Sequence, residues 1–236
     1  MFDVQAALDA AVKLLPKLPC TLFMTALALA GGLALGLILA VVRIRRVPVL
    51  AQAVVAYVSF MRCTPTLVQL FLIFYCLPLL VKPAGIDIEH WSSFTYAVIA
   101  LGLHSAAVLS EVLRAAYLSV PETQFEAASS IGMTYAQTLR RIVIPQALRI
   151  ALPNLGNNAI SLFKETSLAF SIGVVDLMGQ AQIIINRNYG IAIVEVYAVV
   201  SLIYWACSWL LGRFIDHLNL RWAAKYSLLA GKASHT

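Results

Sequence analysis

The sequence predicts an all-α polytopic membrane bundle: five spanning helices, one short polar helix on the basic side, and a short amphipathic helix at the N-terminus. Three observations carry this. Of 236 residues, 61% are hydrophobic and only 12% are charged, roughly half the charge of an ordinary soluble domain. The apolar residues fall in runs of about 20 or more, the length that crosses a bilayer. The basic residues behind the net charge of +6 sit at the ends of those runs, where they orient a membrane protein. Basic residues so placed speak against a nucleic-acid partner and for a lipid bilayer.

Residues 4–17 read as an amphipathic helix in the membrane interface. Val4, Ala7, Leu8, Ala11, Val12 and Leu15 fall on one side, and Asp9, Lys13 and Lys17 mostly elsewhere. A frayed terminus is the competing reading. The first span covers roughly 20–42. It lacks a basic leader region and is too long for a cleavable one, so it is expected to stay in the membrane. Gly31, Gly32 and Gly36 offer a smooth strip to another helix, and Arg43, Arg45, Arg46 and Pro48 close the span.

The next apolar region, roughly 49–81, is longer than a bilayer needs and contains Arg62 and Pro65. It divides into a membrane-edge helix, 49–61, and a deep part, 65–81, ended by Lys82-Pro83-Ala84-Gly85. A short acidic loop follows through Asp87, Glu89, His90 and Trp91. The third span covers roughly 94–118. The fourth covers roughly 147–175, opening after Pro145 and Arg149 and interrupted by Pro153 and Gly156. The fifth covers roughly 191–212, and Arg213, Asp216, His217, Arg221 and Lys225 lead into a basic tail. The chain thus divides into an interfacial helix (1–17), a transmembrane domain (18–220) and a tail (221–236).

An odd number of spans puts the termini on opposite sides. Arg43, Arg45, Arg46, Arg140, Arg141, Arg149, Arg213, Arg221 and Lys225 gather on one side. The other holds Lys82, Arg187 and the N-terminal lysines, offset by Asp3, Asp9, Asp87, Glu89 and Asp176. The positive-inside rule places the N-terminus outside and the C-terminus in the cytoplasm.

Cys20, Cys63, Cys76 and Cys207 form no C-x-x-C pair, so neither a zinc site nor a disulfide framework is expected. His90, His217 and His235 have no partners at ligand spacing, and no metal is expected there. No G-x-x-x-x-G-K-[ST] phosphate loop is present. Any ATP hydrolysis must therefore come from another chain, with ATP and Mg held there and no cofactor here.

The most polar stretch, 122–145, lies between the third and fourth spans on the basic side. It holds Glu126-Ala127-Ala128, Gly132, Arg140, Arg141, Ile142 and Pro145. Residues 122–135 are expected to form one short helix along the cytoplasmic surface, with Gly132 allowing close approach or a sharp turn.

That stretch resembles the EAA signature of ABC-importer permeases: EAA, three residues, Gly, nine residues, then I-x-L-P. Ile144 stands where Leu is usual. Other segments resemble the polar amino acid branch (histidine, glutamine, arginine and cystine types). These are Arg62-Cys63-Thr64-Pro65 with Leu67-Val68-Gln69, Lys164-Glu165-Thr166-Ser167-Leu168, and Ser105-Ala106-Ala107 through Glu111 and Arg114. Departures are His104 for Asn, Val108 for Tyr, Cys63 for Gly, and Pro121-Glu122-Thr123-Gln124 for P-x-G-Q. The stretches around Leu18-Pro19, Val47-Pro48 and Phe163-Lys164 look most like permeases for cystine and related sulfur-containing amino acids.

The resemblance implies a type I ABC importer fold in a bacterial inner membrane. It implies a coupling helix, centred on Glu126, seated in a dimer of separate ATPase subunits. It also implies an extracytoplasmic amino-acid-binding protein, an amino acid substrate, and a second copy or a paralogue of this chain, since one chain of five spans then offers half a pathway.

Ionisable residues inside spans mark a route or a paired site. Lys164 and Glu165 could hold the carboxylate and ammonium of an amino acid, with Thr166 and Ser167 beside them. Glu165 could instead act with Glu111. His104 and Glu111 share a face of the third span. The structural alternative is an internal ion-pair network, Lys164 to Glu111 or Glu111 to Arg114 at i, i+3. Arg62 is an orientation anchor or part of a cytoplasmic gate. Pro65 breaks the helix behind it, and Thr64 and Thr66 can satisfy the freed carbonyls.

Two other classes compete. An intramembrane serine protease would use Ser105 or Ser110 with His104, but the chain lacks a G-x-S-x-G elbow. A stand-alone carrier would show internal duplication, and none is evident.

Overall fold

A computed structural model describes residues 2–233, with side chains as far as Arg221. His235 lies outside the described residues. The helices are α1 (Val4–Leu14), α2 (Leu18–Ile44), α3 (Leu50–Cys63), α4 (Thr66–Phe71), α5 (Leu77–Val81), α6 (Ser93–Leu118), α7 (Thr123–Ser130), α8 (Tyr135–Thr138), α9 (Ile144–Glu165), α10 (Leu177–Arg187) and α11 (Ile193–Ala233). Four stretches are long and apolar enough to cross a bilayer: Val4–Ile44, Thr66–Ala84, Ser93–Leu118 and Ile193–Arg221. Tyr135–Ile172 and Leu177–Arg187, bent by 47°, make a fifth if counted as one span.

The bundle is built around α2 and α6. A Cβ on Gly32 would sit 2.8 Å from Ser105 Cβ, and one on Gly36 would sit 3.0 Å from the Ala106 carbonyl. Only glycine allows the two backbones this close. Gly31, expected in the same strip, faces away: a Cβ added there would meet nothing within 4 Å. Helix α9 joins this pair through a buried hydrogen bond, Ser105 Oγ to Asn158 Oδ1 at 2.9 Å. Helix α11 closes on α9 where Gly156 leaves room for Ile215.

Helix α1 is capped by Asp3, whose carboxylate accepts from the Gln5 and Ala6 amides at 2.9 and 3.2 Å. Val4, Leu8, Val12 and Leu15 are exposed, while Ala10 and Leu14 are buried against Leu177, Ala181 and Val196. The helix is thus docked on α10 and α11 by a stripe next to the apolar side read from sequence. It runs into α2 through one tight turn, Leu15–Lys17, and is not frayed.

The second apolar region breaks at Thr64-Pro65, between α3 and α4, as expected. The fourth span departs from expectation. Helix α9 runs unbroken through Pro153 and Gly156, and the break falls at Gly173, in the left-handed region at φ 89°. Widened π-turns at Leu72–Cys76 and Leu139–Val143 lie just ahead of Pro78 and Pro145. Each absorbs the ring and the missing donor without stopping the chain.

Helix α10 was missed from sequence. Its signals were Asp176 as N-cap, accepting from the Gly179 amide at 2.9 Å, and apolar residues at 177, 181 and 184. The last helix also overruns its expected end at 212 and continues to Ala233, so the basic tail is helical through that residue. No proline follows Pro153 to stop it.

Candidate functional site

The EAA segment forms an elbow of two short helices, where one helix over 122–135 was expected. Helix α7 ends in a Schellman motif. The Gly132 amide donates to the Ser129 carbonyl at 2.9 Å and the Met133 amide to Ala128 at 3.0 Å. This geometry needs a left-handed residue, and Gly132 supplies it at φ 76°. Thr134 then caps α8 in a reciprocal box with Gln137.

Glu126 and Ala127 face solvent while Ala128 is buried. Beside them Ile131 is 77% and Tyr135 60% exposed. An exposed carboxylate thus lies next to exposed apolar side chains on this elbow.

The underside of α7 is held by Phe125. Its ring lies 6.4 Å from Tyr117 at the end of α6 and 6.3 Å from Tyr135 at the start of α8. Phe125 thus packs between the end of α6 and the start of α8. Sequence reasoning passed over Phe125, although an aromatic next to the EAA run was visible. Arg140 and Arg141 project from the widened turn, exposed, and Ile142 and Pro145 are half-buried where α9 begins.

A second polar region lies among α2, α3, α6 and α9. Glu111 is bridged by Arg43 and Arg114, with Arg114 Nε also 3.3 Å from Glu111 Oε2. The expected Glu111–Arg114 pair is present, and Arg43 completes it from the end of α2. Lys164 does not reach Glu111, and its side chain is exposed. Arg62 makes no ion pair among the described residues. It lines two adjoining grooves that share Glu111. One of about 490 Å³ is floored by Val108, Val112, Ala115 and Ile150, and one of about 390 Å³ by Val55, Val58 and Ser59.

The helix break at Pro65 is satisfied from within. Thr64 Oγ1 donates to the Phe60 carbonyl at 2.8 Å. Gln69, fully buried, donates to the carbonyls of Met61 at 2.7 Å and Thr64 at 3.0 Å. Thr66, expected to share this role, makes no such bond among the described residues. Gln69 Oε1 lies 3.0 Å from His104 Nδ1, and His104 Nε2 lies 3.7 Å from Glu165 Oε2. The structure thus brings Glu165 to face His104 and places Glu111 in the separate Arg43–Arg114 cluster. Thr166 is buried and donates to the Phe163 carbonyl at 2.7 Å. Ser167 is half-buried.

Ser105 and Ser110 are fully buried and donate to Asn158 and to the Ala107 carbonyl. With no base hydrogen-bonded to either among the described residues, neither is placed as a nucleophile.

Residues 32–224 match the family model described as "Binding-protein-dependent transport system inner membrane component". The chain is 45% identical over 206 residues to the L-cystine transport system permease protein TcyL of Bacillus subtilis, covering 87% of this chain and 85% of that one. It is 32% identical over 220 residues to the glutamine transport system permease protein GlnP of Escherichia coli, covering 93% and 97%. Among solved structures it is similar to an amino acid ABC transporter crystallised with histidines: TM-score 0.82, 32% identity, covering 94% and 99%. A methionine ABC transporter, MetNI, in an inward-facing form shares the fold at TM-score 0.64 and 20% identity, covering 93% and 95%.

Proposed function

The chain belongs to the family of binding-protein-dependent transport system inner membrane components, and from that membership we propose how it works as the permease subunit of an amino acid ABC importer. Transport is by alternating access. A dimer of separate ATPase subunits binds ATP and Mg and supplies the work. An extracytoplasmic binding protein delivers the solute, and a second copy or a paralogue of this chain forms the other half of the path. Two cystine permeases of Bacillus subtilis, TcyL and TcyB, are among the relatives, and cystine or a related sulfur-containing amino acid is the solute we favour.

One observation carries the coupling reading: an exposed Glu126–Ala127 face on a helix whose underside is clamped by Phe125 to both neighbouring segments. ATP-driven closure of the ATPase dimer draws two such elbows together. Phe125 passes the movement to α6 and α9, and the halves rock from outward-open to inward-open. Ile142 and Pro145 set the start of α9 against that push.

The solute passes the polar groups of α6 and α9: His104, Glu165, Lys164, Thr166 and Ser167. Arg62, Thr64 and Pro65, with Glu111 and Arg114, form the cytoplasmic gate. Residues 18–220 are the transmembrane domain, 1–17 lie in the outer interface, and 221–236 enter the cytoplasm.

The test is Glu126→Lys in proteoliposomes holding permease, ATPase and binding protein. We expect normal insertion and loss of ATP-driven uptake. Undiminished uptake would end the coupling reading.

A further inference from the structure

We infer that Gln69 is a positioning residue that holds His104 as its Nδ1–H tautomer, so that His104 Nε2 and Glu165 Oε2 form a two-acceptor seat for one ammonium group of the carried solute; this rests on the importer reading above.

The argument starts at the helix break. The Met61 and Thr64 carbonyls can only accept hydrogen bonds, and both face one end of the Gln69 side chain at 2.7 and 3.0 Å. That end must be the NH₂, because only it donates. The other end, Oε1, is then an acceptor, and it lies 3.0 Å from His104 Nδ1. A hydrogen bond at that distance requires the proton on Nδ1. In a neutral ring this leaves Nε2 as a lone pair. Gln69 is 2% exposed, so no water competes for its orientation.

Nε2 points at Glu165 Oε2 from 3.7 Å, beyond hydrogen-bond range. Glu165 Oε2 is also one of three described buried side-chain atoms with no hydrogen-bond partner. Two acceptors therefore face one gap and do not satisfy each other. A buried acceptor without a donor is costly, and a donor in the gap removes that cost at Glu165 Oε2.

The side chains of His104 and Glu165 are 15% and 28% exposed, while Glu165 Oε2 itself is buried. The larger groove begins at Val108, one helical turn from His104. A tetrahedral ammonium at about 2.9 Å from each acceptor spans roughly 4–5 Å between them. Glu165 need turn away by only about 1 Å to admit it. The carboxylate charge favours a cationic donor over a neutral amide. Gln69 links this seat to the Pro65 break through a single amide, so a change in the break is felt at the histidine.

The test uses the permease–ATPase complex in lipid nanodiscs with ¹⁵N-labelled histidine, the His104 signals identified by their loss in His104→Asn. The probes are methylammonium, which carries N–H donors, and tetramethylammonium, which has none. We expect a neutral Nδ1–H ring whose Nε2 resonance moves with methylammonium and not with tetramethylammonium. Glu165→Gln should weaken that response about tenfold or more. Gln69→Met should mix the two tautomers and weaken the response.

A doubly protonated or Nε2–H ring in the wild type would overturn the proposal. So would equal responses to the two cations, or an unchanged ring in Gln69→Met. None of these results bears on Glu126→Lys, so the seat can fail while the importer reading stands.

Discussion

Gly132 gives the sharpest test of how the elbow is made. Its φ of 76° closes the Schellman motif at the end of α7. A Cβ at this position meets nothing within 4 Å, so the Cβ itself adds no clash within the chain. The cost is conformational alone: about 1–2 kcal/mol for an L-residue held left-handed. That lowers the population of the correctly closed elbow roughly 5- to 30-fold.

Asn tolerates this conformation better than other side chains, and a β-branched residue tolerates it worst. Gly132→Asn should therefore retain most activity. Gly132→Ala and Gly132→Leu should lose it to similar extents, and Gly132→Val should lose most. The measurements are capture of the ATPase subunit by the purified permease and ATP-driven uptake in vesicles, at matched insertion. A loss that grows steadily from Ala to Leu, with Asn no better than Leu, would refute the backbone argument. It would assign Gly132 instead to close contact with the partner.

Other outcomes follow from the packing. Gly32→Ala should destabilise the purified chain by about 1–3 kcal/mol through overpacking against Ser105, whereas Gly31→Ala should change its detergent melting midpoint little; similar effects at the two sites would contradict the packing of α2 on α6. Removing Arg43 and Glu111 singly and together should give a coupling energy of about 1–2 kcal/mol, less than for a fully buried pair because both side chains are partly exposed; strict additivity would show no working pair. Phe125→Ala should keep ATPase binding but lose uptake, as the two aromatic contacts it removes are worth about 1–3 kcal/mol together; full uptake would mean the clamp transmits nothing. Glu165→Ala, and less strongly Lys164→Ala with its exposed side chain, should alter amino-acid-dependent stimulation of ATP hydrolysis; unchanged stimulation with unchanged uptake would remove both from the solute path.

Much of the architecture was legible because a bilayer imposes simple rules. Apolar runs of fixed length, closed by Arg43, Arg45 and Arg46 or by Lys82 and Pro83, mark spans almost by themselves, and α6 was read to within one residue. The break at Pro65 was also visible, since it depends on the backbone chemistry of one residue; a sharp turn at Gly132 was one of two readings, and the split of 122–135 into two helices was not foreseen. Pro153 misled because a proline can sit inside a helix wherever neighbouring structure absorbs the lost bond. Helix α10 was hidden because it is short, at 11 residues, and carries Gln180, Gln182 and Asn186 among its apolar positions.

By itself the sequence determined the class of solvent, most of the spans and the place of the polar segment, because these follow from composition, spacing and local backbone preference. Only the tertiary structure decided which polar groups meet. Glu165 faces His104, and Glu111 is held by Arg43 and Arg114. Those partners come from different helices, and a linear pattern carries no record of how helices are rotated about their axes or which faces they turn to one another. Gln69 shows the difference: in the sequence it is a lone polar residue in an apolar run, and in the fold it joins a broken helix to a histidine.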